Sequence, residues 1–140
     1  MKFMGLELHV VLTDTKPSTE IEIATIPETK KLRIETLEVM TDEDNTSPTI
    51  GGYTYSKYPY SIMVKENGIT VAVLTPKDPT TMRNLSRFKV DFAFPVEVQG
   101  KITAVATALT PIASGDTFNI HAQIVAVEMN REETLTTWRK

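Results

Sequence analysis

The chain contains no cysteine. That excludes a disulfide framework, a thiolate nucleophile and a cysteine-based zinc site, and it fits a cytoplasmic location. Long apolar runs are missing as well. The best, Val71-Ala72-Val73-Leu74, falls far short of the ~20 residues a membrane-crossing helix needs. The opening stretch MKFMGLELHV meets Glu7 and His9 before any apolar run of signal length, so no secretory signal is expected. There is no glycine-rich phosphate loop, no G-x-S-x-G elbow and no H-E-x-x-H pair. The acidic run at Asp42 resembles a calcium loop only at first sight. Ser47 stands where an EF-hand needs glycine, and Tyr53 where it needs the closing glutamate. Together these absences point away from an enzyme and imply neither cofactor nor metal.

What is there is mostly alternation. Leu6, Leu8, Val10 and Leu12 alternate with Glu7, His9 and Val11, the period of a half-buried strand. EIEIATI, KLRIETLEV, YSIMVK, ITVAVLT, FKVDFAF, KITAVATAL and FNIHAQIVAVEM read the same way. The phase slips between Ile34 and Leu37, the mark of a bulge. Glu66-Asn67-Gly68 is a hairpin turn signal, and Gln99-Gly100 is a second. One segment departs from this pattern. Asp78 suits a helix N-cap, Pro79 the first helical position, and Met82 and Leu85 an apolar stripe. The expectation is one domain over residues 1–140, mostly β. Its architecture is expected to be an oligonucleotide-binding (OB)-like five-stranded barrel with extra N-terminal strands and one short helix, ending in a flexible tail over 130–140.

Net charge is −3, but its distribution is uneven. Residues 1–50 carry five basic against ten acidic side chains; residues 51–112 carry seven against four. All four tyrosines fall in that basic middle, within the decapeptide GGYTYSKYPY. Single-strand binders combine flat rings for stacking with cations that follow the phosphates, each stacked base contributing about 1–3 kcal/mol. The candidate nucleic-acid-binding residues are therefore Tyr53, Tyr55 and Tyr58 for stacking and Lys57, Lys65, Arg87, Lys89 and Lys101 for the phosphates. Tyr58 and Tyr60 share their face with Ile62 and Val64, which turns them toward the core, and the apolar stripe places Phe88, Phe92 and Phe94 there too. His9 and His121 sit opposite the apolar stripes of their strands and meet only if those strands pair.

The order ITVAVLTP, DPTTMRNLSRF, VDFAFPV, ITAVAT and FNIHAQIVAVE resembles that of small accessory proteins of Gram-positive conjugative plasmids and transposons. The resemblance covers roughly the last 80 residues and implies an OB-type fold, single-stranded DNA binding and self-association along DNA. Phe88, near the expected helix end, is the one residue that carries over, and the resemblance adds it to the nucleic-acid-binding candidates. Two other functions suit the same chain. One is a structural, assembly or interaction subunit of a phage or mobile element that does not bind nucleic acid. The other is a small-ligand or carbohydrate-binding barrel, since tyrosines also stack on sugars.

Overall fold

The computed structural model describes residues 2–45 and 53–130, the side chains of 92–95 excepted. The strands are β1 (Lys2–Thr13), β2 (Ser18–Ile26), β3 (Lys30–Thr41), β4 (Tyr60–Glu66), β5 (Ile69–Leu74), β6 (Arg87–Val98), β7 (Gly100–Ala108) and β8 (Thr117–Asn130). No described segment is a helix long and apolar enough to cross a membrane. The expectations for the tail fall on residues 131–140, outside the described residues.

The connectivity follows from one long ribbon. β1 pairs β8, β2 pairs β7, β3 pairs β6 and β4 pairs β5, all antiparallel. The ribbon doubles back at Asn67 and Gly68, whose φ values of 48° and 85° are those of a type I′ turn. Two further ladders, β3·β8 and β4·β7, then gather the strands into sheets of order β1-β8-β3-β6 and β2-β7-β4-β5. This is the double-sheet jelly roll. The mostly-β class therefore holds, while the strands form two four-stranded sheets instead of one closed five-stranded barrel.

The alternation in the sequence does what the strand period requires. Leu8, Val10 and Leu12 of β1 face inward with Phe118, Ile120 and Ile124 of β8. From the other sheet come Tyr60, Ile62, Val64, Ile102, Ala104 and Ala106, so the core is one apolar cluster drawn from both layers. The phase slip in β3 is a bulge between Ile34 and Thr36, and it appears against both neighbouring strands. Arg33 donates from Nε to Glu35 Oε1 at 2.8 Å across it.

The expected helix is reduced to one turn. Asp78 does cap it, accepting from Thr80 N–H at 2.9 Å, and Met82 N–H closes on the Asp78 carbonyl at 2.8 Å. The turn then stops at Met82, whose φ is 61°. The next residues pair elsewhere: Ser56 N–H donates to Asn84 O at 2.9 Å, and Ser86 N–H to Thr54 O at 3.0 Å. Helix nucleation is costly and is offset only by propagation, which these cross-chain bonds remove.

Candidate functional site

The tyrosine segment runs along one end of the sandwich, between the loop at 42–45 and the turn at 76–86. The bridges Glu43↔Ser56 and Tyr55↔Leu85 hold it there. Each ring of the cluster has its own fate. Tyr53 is 50 % exposed, whereas Tyr55 is 3 % and Tyr60 0 %. Tyr55 donates its hydroxyl to Asp78 Oδ2 at 2.7 Å, and the Arg83 guanidinium carbon covers its ring at 4.7 Å from the centroid. Arg83 in turn pairs with Asp44. Tyr60 donates to the Leu85 carbonyl at 3.1 Å, and burial pushes its phenol well above the ordinary value. A buried phenol needs such a partner, because an unpaired hydroxyl in the core is costly.

Tyr58 is half-buried. Its hydroxyl donates to Asp116 Oδ2 at 2.6 Å and accepts from Ala113 N–H at 3.1 Å. Its ring meets Phe118 edge to face, centroids 5.5 Å apart. Lys57 reaches the other oxygen of the same carboxylate at 2.7 Å. The Lys57 ammonium and the Tyr58 hydroxyl together hold the Asp116 carboxyl down to about 2. Asp78 is lowered as well, first by the Thr80 N–H and then by the Tyr55 hydroxyl. Asp42 accepts from both the backbone and the side-chain nitrogen of Asn119, at 3.0 and 3.1 Å. The cluster is thus a latch: phenols and carboxylates tie three loops to one end of the core.

The expected stacking ledge is not assembled from these parts. Tyr55 has no open face for a base, and Tyr58 is engaged on Asp116 and Phe118. Lys57 is paired with Asp116, and Lys65 lies 3.5 Å from Glu20. Arg87 and Lys89 lie on β6 of one sheet, opposite Met40 and Glu38, while Lys101 lies on β7 of the other, opposite Thr25. Phe88 is half-buried opposite Val39. Tyr53 is the one tyrosine with a broadly open ring. The partners Asp78 and Asp116 were not legible as such. Each stands more than twenty residues from its tyrosine, and no spacing rule links a loop aspartate to a distant phenol.

A second constellation does come together as the alternation allows. β1 and β8 pair with His9 directly opposite His121, and the two rings stack 4.0 Å apart at 7°. They line a shallow groove of about 240 Å3 on the outer face, with Glu7, Glu38, Met40 and Gln123 around them. Parallel rings carry their in-plane nitrogen lone pairs side by side instead of toward one point. Among the described residues no three His, Cys, Asp or Glu side chains converge to hold a metal.

No protein-family profile matches the chain, and no curated protein does. Solved structures with a similar chain course include a chain from the X-ray structure of tomato aspermy virus. It is 16 % identical, with 89 % of this chain and 76 % of that one covered and a TM-score of 0.43. Another belongs to the acid-stable capsid of the Helicobacter pylori bacteriophage KHP30, at 8 % identity, with 91 % and 99 % covered and a TM-score of 0.33.

Proposed function

We propose that this chain is a structural subunit that works by assembling with other protein surfaces, with no catalysis, cofactor or nucleic acid involved. A jelly roll by itself does not choose a function, since it hosts capsid subunits and lectins alike. The choice rests on where the side chains with recognition chemistry have gone. The observation that carries the reading is that Tyr55 and Tyr60, with their hydroxyl partners, are spent inside the protein. The space between the sheets is a continuous apolar cluster. What remains for function is the outside of the sandwich: its faces, rim loops and edges. There, among many charged side chains, several large apolar ones stand exposed, including Phe3, Ile69, Val73 and Met82. Exposed apolar groups of this kind mark contact surfaces when they lie together.

The test pairs two measurements on the purified chain. Light scattering across protein concentration is expected to reveal assembled species. Anisotropy with labelled oligo-dT at two salt concentrations is expected to show no binding. A chain that stays monomeric and binds oligo-dT with a slope near −0.7 per phosphate contacted would reverse the reading in favour of single-stranded DNA. In that event Tyr53, Arg87 and Lys89 are the residues to replace.

A further inference from the structure

Four strands lie at sheet edges: β1 and β6 in one sheet, β2 and β5 in the other. An edge presents unpaired N–H and C=O groups, and proteins guard against mispairing there with charge, proline or bulges. Three of these edges are guarded. β1 carries Lys2 and Glu7; β2 carries Glu20 and Glu22; β6 carries Arg87, Lys89, Asp91, Pro95 and Glu97. β5 reads ITVAVL and has neither charge nor proline. Its Ile69 and Val73 are 70 % and 62 % exposed. Among the described residues, nothing pairs on the side of β5 away from β4.

Two more features say what fits this edge. On the outer face, Val105, Met63 and Val73 stand in one row across β7, β4 and β5, so an apolar stripe runs out to the open edge. The flanking charges balance. Lys65 and Glu66 lie beside Thr70 and Ile69 at one end of β5, and Lys77 and Asp78 follow Leu74 at the other. A second copy of the same edge therefore meets no net like charge at either end, and its apolar stripe continues the first. A two-fold axis perpendicular to the sheet sets the two copies of β5 antiparallel.

We propose that β5 pairs with β5 of a second copy of this chain, antiparallel about a two-fold axis, making one continuous sheet of the two. This rests on the assembly reading and names its contact. Because the native chain has no cysteine, single cysteines at Thr70, Val71, Ala72 and Val73 report the pairing directly. A disulfide forms only where two Cα atoms come within about 4.4–6.8 Å.

The experiment is analytical ultracentrifugation of the full chain with Val73→Lys and, as control, Val11→Lys on β1, alongside oxidation of the cysteine series. The wild type is expected to dimerise with concentration. Val73→Lys should weaken the dimer by at least about tenfold, Val11→Lys should leave it unchanged, and at least one cysteine variant should form a disulfide dimer. If Val73→Lys does not fold by circular dichroism, the cysteine series decides alone. Association that survives Val73→Lys with no cross-link at any of the four positions overturns the edge pairing and leaves assembly standing. A wild type that is monomeric throughout, with no cross-link, overturns both.

Discussion

The Tyr58 hydroxyl and Asp116 Oδ2 lie 2.6 Å apart, although 58 positions of chain separate the two residues. That bond, with Lys57 on the other carboxylate oxygen, fastens the loop before β8 to the segment before β4. It makes the loop end of the sandwich sensitive to acid.

Asp116 has its carboxyl lowered from 3.8 to about 2, chiefly by Lys57 and then by the Tyr58 hydroxyl. A carboxyl held lower in the folded state contributes stability that is full above its ordinary value and is lost as pH falls through the folded one. Thermal melts from pH 5 to pH 2 should therefore fall in the wild type. Asp116→Asn should start lower at pH 5 and lose less over that span. Parallel curves would remove Asp116 from the acid response. Lys57 is raised above 10.5 by the same bond, so its contribution is present below that value and fades only at still higher pH.

Tyr60 is fully buried and its hydroxyl donates to the Leu85 carbonyl. Tyr60→Phe keeps the ring against Phe118 and removes only that bond, so it should cost about 1 kcal/mol. Tyr60→Ala also empties the core and should cost roughly 3–5 kcal/mol. Urea unfolding measures both, and equal costs would mean that the ring's packing contributes little.

Gly100 has φ 72°, and a Cβ there would lie 2.6 Å from Asn67 Oδ1. Asn67 itself accepts from Lys101 N–H at 3.0 Å, so it is not free to step aside. Gly115 has φ 80° with open space around it. Gly115→Ala should cost about 1–2 kcal/mol from backbone strain alone. Gly100→Ala should cost clearly more, because it also dislodges the β4–β5 turn. Similar melting temperatures for the two would show that Asn67 gives way.

Thr103 is 5 % exposed, and its hydroxyl oxygen has no hydrogen-bond partner among the described residues. Thr103→Val replaces that hydroxyl with a methyl of similar size and should stabilise the fold by about 1 kcal/mol. A loss in urea unfolding would reveal a bond that the hydroxyl makes.

How much of this was legible in the sequence differs by element. The eight strands, the bulge in β3 and the Asn67-Gly68 turn are all written in nearest-neighbour patterns. So is the core placement of Tyr60, through its face shared with Ile62 and Val64. The expected helix stops at one turn for a physical reason. Its cap at Asp78 is genuine, but the residues after Met82 gain more from pairing with residues 54–56 than from extending one turn. Clustering in sequence does not make clustering on a surface. Neighbouring tyrosines instead turn to different partners: Asp78, Asp116 and the Leu85 carbonyl.

The sequence by itself determined the strands and the inward face of each, because a period of two is a local property that hydrophobic burial reads directly. Only the tertiary structure decided which strand lies beside which, where the tyrosine hydroxyls find acceptors, and that β5 stays open at an edge. Those outcomes depend on pairings between residues far apart in the chain, as when β1 finds β8 and sets His9 against His121. No local pattern encodes them; they are settled by the packing of the whole ribbon around one core.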